Sequence, residues 1–97
     1  MHLEFSGQHV SFSPEYKDFA AKKLSRLEKH FEHITDVHVF YRLKGQDHHV
    51  EATVHANASE QLYAESTSST YESAINNLAQ KLDRQILKHK EKLKNHR

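Results

Sequence analysis

Two rows of basic residues carry the most directed chemistry in this sequence. Lys81, Arg84, Lys88 and Lys92 recur at steps of three and four residues, as do Lys22, Arg26 and Lys29. On a helix turning about 100° per residue, such steps place the side chains along one face. A row of spaced cations matches the phosphates of a nucleic-acid backbone, with affinity that comes from counterion release and falls steeply with salt. The bland alternative is a pair of solvated helix faces, with Glu28 beside Lys29 and Glu91 beside Lys88 as local partners. The charge distribution favours the anion-binding reading. Residues 70–97 hold seven Lys/Arg against three Asp/Glu, a net of +4, whereas residues 1–69 hold seven against ten, a net of −3. The overall charge of +1 conceals this split.

Other chemistry is poorly supported. There is no cysteine, which excludes disulfides, thiolate metal sites and a cysteine nucleophile. Ten histidines invite a metal reading, and His30 and His33 are spaced to chelate on a helix. No HExxH pattern accompanies them, and His49 would face Arg42 across a tight hairpin. No physiological metal site and no cofactor are therefore expected. Ser66, Ser68 and Ser69 lack a nucleophile elbow and read as helix capping. Two glycines leave no phosphate-cradling loop. No catalytic residue is expected, and the chain does not read as an enzyme.

These residues need elements to position them. The 97 residues suffice for one domain with one core between two layers. No apolar run is long enough to cross a membrane, and MHLEFSG lacks the features of a secretion signal, so a cytoplasmic protein is expected. Residues 3–6 alternate as a short strand, with Gly7 as its end. Ser13-Pro14-Glu15 starts a helix expected to run to about His33, with Tyr16, Ala20, Leu24, Leu27 and Phe31 on its apolar side. Asp36 to Leu43 alternates, with Val37, Val39, Tyr41 and Leu43 facing inward. Lys44-Gly45-Gln46-Asp47 is a hairpin turn, and His48 to Asn57 is the next strand, with Val50, Ala52, Val54 and Ala56 inward. Ala58-Ser59-Glu60 turns the chain into Gln61–Thr67, with Tyr63 and Glu65 outward. Ser69-Thr70-Tyr71-Glu72 has the capping-box form before a long helix. Its apolar stripe is Tyr71, Ile75, Leu78, Leu82, Ile86 and Leu93, and it should fray after Lys90.

The expected class is therefore α+β, in the order β-α-β-β-β-α. Two helices lie on one face of a four-stranded mixed sheet, an arrangement like the double-stranded-RNA-binding domain, which reads A-form shape and phosphates. With both helices on one side, the basic rows are expected to flank a common groove. The other side of the sheet would show Phe40, Tyr63, His38 and Thr53, but the RNP patterns of stacking RNA-recognition motifs are absent.

The segments KKLSRLEKHF (22–31), TYESAINNL (70–78) and KLDRQILKHKEKLK (81–94) resemble the short hibernation-promoting factor family of bacteria, whose relatives include protein Y. The resemblance spans essentially the whole chain, 1–97, as a single domain. It departs from the family pattern at Thr70 and at Ile75-Asn76, which affects capping rather than the basic surface. With its end at Arg97, the chain lacks the C-terminal extension of protein Y and a second dimerising domain, which favours the short type. The resemblance implies binding to the small ribosomal subunit and the whole ribosome, in the channel for messenger and transfer RNA. It implies inhibited translation in stationary phase and inactive ribosome dimers, with ribosome modulation factor as an indirect partner on the ribosome. It implies contacts to 16S-type ribosomal RNA from Lys22, Lys23, Arg26, Lys29, Lys81, Arg84, Lys88, Lys90, Lys92 and Lys94. A monomer without a membrane partner is expected. Modulation of a sigma factor through protein contacts, or binding of free double-stranded RNA, are the alternatives.

Overall fold

The computed structural model describes residues 1–8, 10–30, 34–56 and 60–95, the side chains of His30, Glu60 and residues 89–95 excepted. The chain folds as β1 (His2–Gln8), α1 (Pro14–Leu24), α2 (Leu27–His30), β2 (Ile34–Lys44), β3 (Asp47–Ala56), β4 (Glu60–Ser68) and α3 (Tyr71–Asn95). The four strands lie in the order β1-β2-β3-β4, with β1 and β2 parallel and the other neighbours antiparallel. A helical crossover separates the parallel pair, as their geometry requires.

Alternation builds one buried face. Val37, Val39 and Tyr41 of β2 pack with Val50, Ala52, Val54 and Ala56 of β3 and Ala64 of β4. Tyr71, Ala74, Ile75, Leu78, Ala79, Leu82 and Ile86 of α3, with Ala20, Leu24 and Leu27, close the core from the other side. Each fully buried Leu, Ile or Val contributes about 1.5–3 kcal/mol relative to exposure. An aromatic group seals the end where α1 and α3 begin. Tyr16 stacks on Tyr71 with ring centroids 3.8 Å apart and planes 2° from parallel, and the Tyr71 hydroxyl donates to the Tyr16 carbonyl at 2.7 Å.

Local chemistry sets the boundaries, and several differ from the sequence expectation. Ser13 caps α1 by accepting the Tyr16 amide at 3.1 Å, with Pro14 in the first turn. The expected single helix to His33 breaks at Ser25-Arg26. The Ser25 hydroxyl donates to the Lys22 carbonyl at 2.9 Å, and Glu28 and Lys29 bond three residues back, to Ser25 and Arg26, at 3.2 Å. The chain tightens there into a three-residue turn before α2. Leu27 remains fully buried, so the apolar stripe continues through the break. Residues 31–33, Asn57, Ala58 and Ser59 lie outside the described residues.

The cap of α3 is Thr70 rather than Ser69. Its hydroxyl accepts the Ser73 amide at 3.1 Å and its carbonyl accepts Ala74 at 3.1 Å. Backbone helix continues to Asn95, past the expected fraying point. Gly7 does not end β1, which continues to Gln8; a Cβ there would meet the Val10 carbonyl oxygen at 2.8 Å. Gly45 has φ +65°, the left-handed region that the two-residue hairpin between Lys44 and Asp47 needs. Leu43, expected inward, is 49% exposed, because it sits at the hairpin end of β2 beyond the cover of the helices.

Candidate nucleic-acid interface

Both helical segments lie on the same side of the sheet, and cations outnumber the exposed acids Glu15, Asp18, Glu28 and Glu72 among their outward residues. Lys22, Arg26 and Lys29 are exposed on α1 and the turn into α2, and Arg84 and Lys88 on α3. Among the described residues none of these five cations forms an ion pair. Glu28, the neighbour that could neutralise Lys29, instead lies 4.0 Å from the Met1 amino group. Charges held this way remain available to a ligand. Lys22 and Lys23 also occupy the last turn of α1, where the helix dipole favours a cation. The Lys23 ammonium sits 5.5 Å from the centroid of the Phe19 ring, so part of its role is cation–π packing.

Lys81 is held differently. Its Nζ donates to the Glu65 backbone carbonyl at 2.7 Å, and Gln85 Nε2 donates to the Tyr63 carbonyl at 2.7 Å. Both bonds tie α3 to the outer edge of β4. Lys88, two turns beyond Lys81, falls on nearly the same side of α3. Lys81 is thus turned toward the β4 edge rather than toward α1. That contact does not turn Lys81 toward α1, and so gives no support to the expected common groove between the rows. The side chains of Lys90, Lys92 and Lys94 lie outside the described residues.

The opposite sheet face has another character. Cross-strand register brings Glu4 beside His38, Asp36 beside His55, Arg42 beside His49 and Glu51 beside Glu65. With Asp47, which pairs with Lys44 at the hairpin end, five carboxylates therefore share that face with Arg42 and Lys44. Tyr63, 45% exposed, was a candidate base-stacking residue, but its hydroxyl lies 2.6 Å from Glu51 Oε1 and 2.8 Å from Glu65 Oε2. The hydrogen bond from Tyr63, aided by His49 and Arg42, holds the Glu51 carboxyl below its usual range. The same bond to Glu51 pushes the Tyr63 phenol upward. Carboxylates flanking the exposed aromatic repel anions, so the helical side is the electrostatically favoured face for a polyanion.

One cluster escaped the sequence reading. His49 is buried on this polar face, with Nδ1 2.7 Å from Thr67 Oγ1 and Nε2 3.0 Å from Glu51 Oε2 and 3.9 Å from Glu65 Oε2. The sequence signal was His49 and Glu51 two apart on one strand face. Their meeting with Glu65 depends on the register of β3 against β4.

A mixed sheet with one helical layer, cationic on the helices and acidic on the strands, defines an α+β domain suited to polyanion binding through its helices. Residues 3–94 match the model of the family described as Sigma 54 modulation protein / S30EA ribosomal protein, and the chain belongs to that family. It is 40% identical over 92 residues to a ribosome hibernation promoting factor of Pseudomonas putida, covering 95% of this chain and 89% of the relative. It is 34% identical over 96 residues to that of Escherichia coli K12, covering 99% and 100%. These relatives are named as ribosome factors and not as enzymes. A ribosomal subunit interface protein from Coxiella burnetii has the same fold, with a TM-score of 0.83 and 26% identity over 93% of this chain and 98% of that one. The N-terminal domain of Thermus thermophilus protein Y, at 21% identity over 89% of this chain and 96% of that one, shares the fold with a TM-score of 0.81.

Proposed function

We propose that the chain is a ribosome hibernation factor acting as a single domain. It binds 16S-type ribosomal RNA of the small subunit in the channel for messenger and transfer RNA, and inhibits translation by occupying that channel. The observation that carries this reading is the set of cationic helix residues without ion-pair partners among the described residues, set against an acidic sheet face. The relatives at 34–40% identity, named as ribosome hibernation promoting factors, supply the biological setting. In this reading Lys22, Arg26, Lys29, Arg84 and Lys88 contact phosphates. Lys23 and Lys81 contribute charge while also packing on Phe19 and clamping β4, and Lys90, Lys92 and Lys94 are the further phosphate contacts of this reading. The protein works in the cytoplasm as a monomer during stationary phase. It promotes inactive ribosome dimers together with ribosome modulation factor, which it meets only through the ribosome.

The test is co-sedimentation with purified ribosomes and separate subunits at low and high salt. Salt-sensitive migration with the small subunit is expected. The family description also carries the name Sigma 54 modulation protein, so a protein partner is the second reading. A chain that stays at the top of the gradient at every salt, yet retains a sigma factor on a column, would replace the first reading with the second.

A further inference from the structure

We propose that His49, Glu51 and Glu65 form a binding site for a divalent transition-metal ion of the zinc class, on the sheet face opposite the helices. His49 Nε2, one Glu51 oxygen and one Glu65 oxygen all lie within 4.8 Å of one another. His49 Nε2 is 3.0 Å from Glu51 Oε2 and 3.9 Å from Glu65 Oε2. Zinc bonds to imidazole nitrogen and carboxylate oxygen are about 2.0–2.2 Å, so tetrahedral ligand atoms stand roughly 3.4 Å apart. The two distances bracket that value, and small rotations of the glutamates close the set. A nitrogen donor beside two carboxylates suits zinc and its neighbours better than calcium or magnesium. The Glu65 side chain is 58% exposed, which leaves a side open for water to complete the coordination.

Two further observations point to a cation here. Glu51 and Glu65 are directly opposed in the register of β3 and β4, a like-charge pair that costs stability. The Tyr63 hydroxyl lies within hydrogen-bond distance of both, yet it carries one proton and satisfies one carboxylate at a time. An ion supplies the missing positive charge. Glu51 can give Oε2 to the ion while its Oε1 stays on Tyr63. Thr67 provides the orienting contact that metal-bound histidines characteristically have, 2.7 Å from Nδ1. In the metal-free form Nε2–H donates to Glu51 and Nδ1 accepts from Thr67. On binding, the ring proton moves from Nε2 to Nδ1 by exchange with solvent, the Thr67 hydroxyl turns to accept from Nδ1–H, and the freed Nε2 lone pair goes to the metal. Arg42, opposite His49 on the β2 side, is a like charge that moderates the affinity.

The experiment is calorimetric titration of zinc chloride into the full chain after treatment with chelator. One equivalent is expected. Its affinity should fall at least about tenfold in Glu65→Gln and in Thr67→Val, as loss of a ligand or its orienting partner implies. His38→Asn and His55→Asn, which alter other histidines of the same face, should leave it unchanged. Glu65 is exposed, so its variant keeps the fold. Absence of a single-site isotherm, or one that Glu65→Gln and Glu51→Gln leave intact, overturns the proposal. Heat lost equally in His38→Asn assigns the zinc to scattered histidines and overturns it as well.

Discussion

The ammonium of Lys81 donates to the backbone carbonyl of Glu65 at 2.7 Å, so a cation of the basic row is also a bond between α3 and the edge of β4. Charge and fold are coupled at this position and separable at its neighbours. That distinction decides which substitutions test RNA binding cleanly.

Arg84→Glu with Lys88→Glu should leave thermal unfolding within a few degrees of the parent, because both side chains are exposed and make no ion pair among the described residues. The dependence of log affinity on log salt for the small subunit should flatten by about one for each phosphate contact removed. Sedimentation across a salt series measures it. An unchanged slope together with unchanged affinity would remove α3 from the interface.

Lys81→Met should behave differently, losing some ribosome affinity and also stability. An exposed hydrogen bond of this kind is worth about 0.5–1.5 kcal/mol. For a domain of this size about 1 kcal/mol shifts Tm by roughly 4–8 °C. Differential scanning calorimetry should show a drop in Lys81→Met that Lys88→Met does not share.

Tyr71→Phe should cost about 1 kcal/mol, since it removes only the bond to the Tyr16 carbonyl. Tyr71→Ala should cost about 3–5 kcal/mol, because it also empties the centre of the aromatic group. Urea unfolding separates the two. Equal costs would mean that the stacking on Tyr16 contributes nothing.

Stability should fall on the acid side in a way that depends on Glu51. Its folded pKa is depressed, chiefly by the Tyr63 hydroxyl, so its contribution is complete above the unfolded carboxyl value of about 4.5. The contribution is lost as pH falls from there through the folded value. The Tyr63 phenol has the opposite sign. Its pKa is raised, so its contribution is complete below about 10 and is lost as pH rises beyond that. Tyr63→Phe should flatten both arms of a Tm-against-pH curve. An unaltered acid arm would show that the hydroxyl does not hold the Glu51 charge.

Gly7→Ala should destabilise although no unusual backbone angle is involved. The added carbon would meet the Val10 carbonyl oxygen at 2.8 Å, and overpacking of this kind costs about 1–3 kcal/mol. A Tm equal to the parent's would show that the chain after β1 yields freely.

Much of the fold is written in period-two and helical spacing. Val37, Val39, Val50, Ala52 and Val54 fall inward as alternation requires, and the stripe of α3 from Tyr71 to Ile86 is buried throughout. Details that depend on one side-chain bond were not legible. Nothing in the spacing of Leu24 and Leu27 shows that Ser25 will bond back to Lys22 and break the helix. Thr70 and Ser69 are equally good caps until the chain direction is fixed. Alternation aims His49 away from the core, yet it is only 4% exposed, because its neighbours from adjoining strands enclose it once the register is set. The basic residues themselves were legible. The bond of Lys81 to β4 was not, since it depends on which side of α3 meets the strand edge.

The clamp on β4 also bears on self-association. A strand at the border of a sheet offers unpaired carbonyl and amide groups that another chain can pair with, which is how native proteins begin to aggregate. Lys81 and Gln85 occupy the Glu65 and Tyr63 carbonyls, so a foreign strand arriving at β4 would first have to break two bonds and displace a charged helix. Lys81 thus guards part of the β4 edge as well as fastening α3 to it.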